Sequence, residues 1–214
     1  MSMLRRRIVI YIGVAIVALA MSLALGVFVT RYGEPAPVMA FAKLLLGVHP
    51  HMAWAFTLCA RPEVLLPLGI ALIIAASVFR AWRGRIAFSL VSLLLSWRFD
   101  ALLQHAFKRP RRLDWVLHHE TSFSYPSSHA SISLGFYMLW AYFIARSALP
   151  GPLRIVLAGS LTLLWLGILW SRLALGAHYP SDLLGGTLIG IASICALAAV
   201  VETIKVVGAA SKEA

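Results

Sequence analysis

The sequence predicts an all-α protein: a polytopic membrane bundle of six transmembrane helices with both termini cytoplasmic and short interfacial helices in the first outer segment. Three observations predict it. Hydrophobic residues make up 61% of the 214 and charged residues 13%, against roughly 45–50% and about 25% in an average soluble domain. Apolar runs of 16 to 22 residues recur along the chain, and at about 1.5 Å per residue such runs match a hydrocarbon core of about 30 Å. The 19 Lys and Arg greatly outnumber the 8 Asp and Glu and gather in alternate loops, the distribution that orients membrane helices.

The first span follows Arg5, Arg6 and Arg7 and runs from Ile8 to Val29. A cleaved signal peptide is the rival reading, because Ala18, Leu19 and Ala20 resemble a cleavage site, but the apolar stretch continues beyond them. Pro37 to Leu46 and Met52 to Ala60 are too short to cross and are expected along the interface. His49 and His51 flank Pro50 there without a third ligand nearby, so no metal site is assigned. The remaining spans are Val64 to Phe79, Ile86 to Phe107, Ser127 to Ala145, Leu153 to Trp170 and Leu183 to Val201. Residues 1–207 form a single domain, and 208–214 a short tail. Cys59 and Cys195 are far apart and lack metal-ligand spacing, so neither a disulfide nor a thiolate metal site is expected.

Arg5 to Arg7, then Arg80, Arg83 and Arg85, then Arg146 and Arg154, then Lys205 and Lys212 mark the cytoplasmic ends. That leaves Arg31, Lys43 and Arg61 in the first outer segment, and six more on the same side: Arg98, Lys108, Arg109, Arg111, Arg112 and Arg172. Topology does not account for these last six, and cations held near membrane depth mark a functional anion site by default. Asp100 is expected as a structural charge partner for Arg98. The formal charge of +11 is thus divided between orientation and anion binding, and no nucleic-acid partner is expected.

Three stretches converge on that outer face: Gln104 to Arg112, Tyr125 to His129, and Ser171 to Asp182. A transferring phosphoryl group spreads negative charge over its non-bridging oxygens, so its site needs fixed donors, a nucleophile and a proton source. Tyr125-Pro126-Ser127-Ser128-His129 reads as a helix start, where free backbone N–H groups can cradle an anion. His178 and Asp182 stand four apart, with Pro180 placed to open the last helix. A carboxylate bonded to one ring nitrogen leaves the other free to attack phosphorus.

In order and spacing, these stretches resemble the type-2 phosphatidic acid phosphatase family across roughly Gln104 to Gly186. Its motifs are K-x6-R-P, P-S-G-H and S-R-x5-H-x3-D, and the fold it implies is a helix bundle. The third motif is complete here. In the second, Ser128 replaces the glycine. In the first, Gln104 takes the place of the lysine, Arg111 matches the arginine, and Arg112 stands where proline is expected.

The resemblance implies that His178 attacks the terminal phosphorus, Asp182 orients it, and His129 serves as general acid and then general base. Arg111, Arg172, Ser127 and Ser128 would hold the phosphate oxygens, with neutral Gln104 as a weaker donor and neighbouring Lys108 or Arg109 able to turn inward and substitute for the missing cation. No metal or other cofactor is implied, and Asp100, Asp114 and Glu120 are too scattered to gather magnesium. The implied partner is a membrane lipid phosphate, such as phosphatidic acid, phosphatidylglycerol phosphate or undecaprenyl diphosphate. The implied location is the bacterial inner membrane, with the site facing the periplasm or cell exterior. His118, His119 and Glu120 lie in the loop before the second motif, within reach of a headgroup or simply solvated. The alternatives are a lipid phosphotransferase, a non-catalytic anionic-lipid binder motivated by Gln104, and a transporter. Against the transporter, the fifth and sixth spans are almost wholly apolar.

Overall fold

The computed structural model describes residues 2–114, 116–117 and 119–213. Among them the secondary structure is entirely helical. In chain order come α1 (Ser2–Tyr32), α2 (Ala36–Leu45), α3 (Pro50–Leu58), α4 (Pro62–Val78), a 3-10 turn (Arg80–Trp82) and α5 (Arg83–Phe107). After a long connection follow α6 (Ser128–Ser133), a π-helical turn (Leu134–Met138), α7 (Leu139–Ala145), α8 (Gly151–Ala174) and α9 (Pro180–Glu213). Five segments are long and apolar enough to cross a membrane: Met3–Tyr32, Pro50–Val78, Arg80–Phe107, Gly151–Ala174 and Pro180–Ala209. The stretch expected to span from Ser127 forms a continuous helical run from 128 to 145, but it is assembled from α6, the π turn and α7.

The distribution of polarity is inverted relative to a soluble protein. Val9, Ile16, Ile73, Ile74, Ile155 and Leu163 are exposed, whereas Ser22, Ser89, Ser92, Ser96 and Asp100 are buried. In lipid, the outer surface gains nothing by hiding apolar groups, and the polar ones turn inward, away from the hydrocarbon. The helix ends α1 and α9 pair along much of their length, while α6 is wedged between α5 and α9. Gly186 on α9 permits that wedge, because a Cβ there would lie 2.2 Å from the carbonyl oxygen of Ser127.

Three expectations change. Asp100 does not pair with Arg98, which is exposed; its carboxylate accepts from Ser131 Oγ across the α5–α6 contact. A hydroxyl from a facing helix satisfies a buried carboxyl at shorter range than a guanidinium two residues along the same helix, which points elsewhere. The first outer segment is not merely interfacial, because α2 and α3 pack on α8 and bury Ala42, Ala53 and Thr57 completely. The expected tail is helical, since α9 continues through it to Glu213.

Candidate active site

The last turn of α8 carries Ser171 and Arg172, and the chain then reverses through Gly176 at φ +68°. A side chain is strained at that φ, and a Cβ would also lie 2.2 Å from the carbonyl oxygen of Asp114. The reversal folds the amides of Ala177 and His178 back onto the Arg172 carbonyl, at 3.0 and 3.3 Å. Pro180 opens α9, and Asp182 in its first turn accepts from the Tyr179 amide at 2.8 Å. The result places His178 Nδ1 3.3 Å from Asp182 Oδ2, with both side chains fully buried.

Arg111 approaches from the connection after α5. Its Nη1 donates to His178 Nε2 at 2.9 Å and to the Ala177 carbonyl at 2.9 Å, while its Nε and Nη2 donate to the backbone and hydroxyl of Ser122. A guanidinium only donates, and an ionised carboxylate only accepts. The partners therefore select the tautomer with the proton on Nδ1 and the lone pair on Nε2. Burial, then the charges of Arg111 and Arg172, push the His178 imidazole well below the ordinary histidine range, so it is neutral at neutral pH. Burial and the neighbouring Arg172 lower the Arg111 guanidinium to about 10, which leaves it charged.

Arg172 is almost wholly enclosed. Its Nη1 donates to Thr57 Oγ1 at 3.2 Å and its Nη2 to Glu120 Oε1 at 2.8 Å. Burial opposes ionisation of Glu120, but Arg172 and then Arg111 outweigh it and hold that carboxylate below its usual range. Glu120 thus places an anion on a guanidinium that a phosphate would also seek. Thr57 bonds Ser171 Oγ at 2.8 Å, which brings α3 into the site from beneath.

The second motif arrives on the N-terminus of α6. Ser127 is the N-cap, yet its hydroxyl makes no cap bond; its amide instead donates to the Asp182 carbonyl at 3.0 Å. His129 stands in the first turn of α6, two residues after Ser127, which sets it at the same end of the bundle as Asp182. Three buried polar atoms from the second and third motifs lack a hydrogen-bond partner among the described residues: Ser127 Oγ, His129 Nε2 and Arg172 Nε. Buried polar atoms are nearly always satisfied, so three orphans on motif residues fit a site built for an anion with several acceptor oxygens.

Two expected ligands fall elsewhere. Gln104 donates to the Pro126 carbonyl at 2.9 Å and so ties α5 to the second motif. Lys108 is exposed, and it is turned out by its left-handed backbone at φ 50°. Arg112, in the family's proline position, is buried on Asp114. Of the loop trio, Glu120 reaches Arg172, His119 stays outside the bonds described above, and His118 lies outside the described residues. No cluster of His, Cys, Asp or Glu suited to a metal ion occurs among the described residues.

Sequence reasoning missed Thr57, Ser124, Ser181 and Glu34. Ser124 Oγ donates to Asp182, and Arg109 Nη1 donates to Asp182 Oδ1 at 2.6 Å. Only Arg109 carried a signal, as one of the unexplained outer cations.

Comparison with known proteins supplies the family. The undecaprenyl-diphosphatase YbjG of Escherichia coli (strain K12), so named provisionally, is 30% identical over 154 residues, covering 70% of this chain and 65% of that protein. Phosphatidylglycerophosphatase B of Bacillus subtilis (strain 168) is 33% identical over 144 residues, covering 59% and 63%. The chain therefore spans slightly less than two thirds of the length of these relatives. In fold it resembles the crystal structure of a transmembrane PAP2 type phosphatidylglycerolphosphate phosphatase from Bacillus subtilis, with a TM-score of 0.74 at 21% identity over 89% of this chain and 96% of that one. Aquifex aeolicus LpxE follows at a TM-score of 0.59 and 20% identity, over 78% and 96%. The family model of the PAP2 superfamily matches residues 15–205, nearly the whole bundle, and the chain belongs to that superfamily.

Proposed function

We propose that the chain is an integral-membrane lipid phosphate phosphatase that hydrolyses a phosphomonoester or diphosphate headgroup through a phosphohistidine. The observation that carries this is the state of His178, held neutral between Asp182 on Nδ1 and Arg111 on Nε2. An incoming phosphate draws the guanidiniums of Arg111 and Arg172 onto its oxygens, displacing Glu120 and baring Nε2. The Nε2 lone pair then forms a bond to phosphorus as the ester or anhydride P–O bond breaks. His129 gives its proton to the departing oxygen. Water next attacks phosphorus, His129 takes the proton, and the N–P bond breaks to release phosphate. Asp182 stabilises the imidazolium while phosphorus is attached.

The site lies at the C-terminal ends of α5 and α8 and the N-terminal ends of α6 and α9, opposite the arginines at 80, 83, 85, 146 and 154. The positive-inside rule then puts it on the outer face, with six spans if α6 to α7 crosses, and with both termini inside. A cavity of about 390 Å³, lined by Leu65, Leu66, Leu93, Leu94 and Trp97, reaches Ser128 and His129. It suits a hydrocarbon tail whose headgroup enters the polar site, which favours substrates of the kinds that the relatives' names carry: undecaprenyl diphosphate and phosphatidylglycerophosphate. A phosphotransferase differs only in the acceptor of the second step.

The test is phosphate release from a panel of purified lipid mono- and diphosphates by the detergent-solubilised protein. Activity is expected on at least one lipid and is expected to be unchanged by excess EDTA, because the described residues gather no carboxylate cluster for a catalytic cation. Activity lost on chelation and restored by magnesium would overturn the metal-free mechanism. Transfer of phosphate to a second lipid in preference to water would identify the phosphotransferase.

The same mechanism sets the pH profile. His178 must be neutral and its pKa is lowered, so turnover falls only as pH drops through that lowered value, below the ordinary histidine pKa of about 6.5. The acid limb is expected in kcat/KM, which reports groups of the free protein, and one inflecting above about pH 6.5 contradicts the assignment of His178.

A further inference from the structure

Behind the nucleophile lies a second, wholly buried charge network. Arg109 reaches two carboxylates with separate nitrogens: Nη1 donates to Asp182 Oδ1 at 2.6 Å and Nη2 to Glu34 Oε2 at 3.0 Å. The side chains of Glu34, Arg109 and Asp182 are 3%, 5% and 0% exposed, so solvent screens none of these contacts. Glu34 comes from the link between α1 and α2, and it also fastens the start of α9. Its Oε1 accepts the Ser181 amide at 3.1 Å and its Oε2 accepts Ser181 Oγ at 2.5 Å, across 147 residues of sequence. Ser181 Oγ accepts in turn from Arg109 Nη1 at 2.8 Å, and the Tyr179 ring lies 4.1 Å from the guanidinium carbon. Both carboxylate oxygens of Glu34 are thereby committed to Ser181, which precedes Asp182, and to Arg109, which bonds it.

The charge balance gives this arrangement a consequence for catalysis. Asp182 and Arg109 alone would form a neutral pair, with the carboxylate drawn toward the guanidinium and away from His178. The Glu34 charge on the far side of Arg109 divides that pull and returns the set to a net single negative charge. Asp182 is then left able to accept from Nδ1–H and to balance the imidazolium formed during phosphoryl transfer. We infer that Glu34 is a positioning residue which, through Arg109 and Ser181, holds Asp182 in the orientation and charge state that the His178 imidazole requires. This rests on His178 being the nucleophile.

The test compares the full-length protein with Glu34→Gln, Glu34→Asp and Arg109→Lys in detergent. Glu34→Gln keeps the shape but removes the charge; it is expected to lower kcat about 10- to 100-fold with KM within about threefold, on the scale of supporting residues around a site. Glu34→Asp is expected to recover part of that loss. Arg109→Lys is expected to match or exceed it, since one ammonium does not bridge both carboxylates. Wild-type kcat in Glu34→Gln, a raised KM at unchanged kcat, or loss of kcat only in proportion to loss of folded protein by thermal melting would each overturn the inference. Histidine NMR on ¹⁵N-labelled protein supplies a readout independent of turnover. The Nδ1 proton signal of His178, assigned by its disappearance in His178→Gln, should move upfield in Glu34→Gln and stay in place in Glu202→Gln, a change at the far end of α9. An unmoved signal in Glu34→Gln sinks the inference even if no lipid is ever hydrolysed. A wild-type protein without phosphatase activity whose signal does shift sinks the functional reading and leaves the network standing.

Discussion

Alanine at position 178 is expected to abolish phosphate release while leaving the bundle folded. The imidazole has a carboxylate on one nitrogen and the Arg111 guanidinium on the other, the arrangement the proposed mechanism requires of its nucleophile. Without it neither half-reaction has a route, and losses of about 10⁴-fold or more are typical when the covalent nucleophile of an activated set is removed. The side chain is buried and bonded to Asp182 and Arg111, so a thermal melt belongs beside the kinetics, and His178→Gln, which fills more of the same space, is expected to be equally inactive. Trapping after acid-free quench of labelled substrate should show a phosphohistidine in the wild type and none in the variant. His178→Ala protein turning over at the wild-type rate would refute the mechanism.

Arg172→Ala should be nearly as damaging, with a fall in kcat/KM of about 10³-fold, on the scale of losing a principal oxyanion donor in a dry site. Arg172 sits where α3, α8 and the loop bearing Glu120 meet, with its Nε still unpartnered. A planar fork matched to two phosphate oxygens is not replaced by water, and Arg172→Lys is expected to recover only a small part. Because Glu120 loses its cation in the alanine variant, a circular dichroism melt belongs beside the kinetics. A melt shifted by many degrees would assign the loss to folding, whereas an unchanged melt with near-normal kcat/KM would remove Arg172 from the phosphate site.

The third motif was legible in full, since His178 and Asp182 are joined by local turn geometry that spacing alone encodes. The first motif was legible only in part. Spacing placed Arg111 on the phosphate side, and the structure brings it to His178 Nε2. Spacing also offered Gln104 and Lys108 as phosphate ligands, but one is spent on the Pro126 carbonyl and the other is turned outward at the left-handed end of α5. Whether a polar side chain points in or out at a helix terminus depends on the last two or three dihedrals, and composition does not report them. The role of Arg109 was invisible for a different reason: its two carboxylates come from the α1–α2 link and the start of α9.

By itself the amino-acid sequence determined the class of molecule, its apolar helices and the three stretches that meet at one end of the bundle. Those properties depend on hydropathy summed over a span and on residues close together in the chain. The tertiary structure alone decided which buried atoms are left unpartnered, that Asp100 meets Ser131, that α3 supports Arg172, and that Glu34 stands behind the nucleophile. In a medium without water, a polar group not satisfied within its own helix must find its partner on another, and such pairings are set by packing distances of a few ångströms that a linear pattern does not contain.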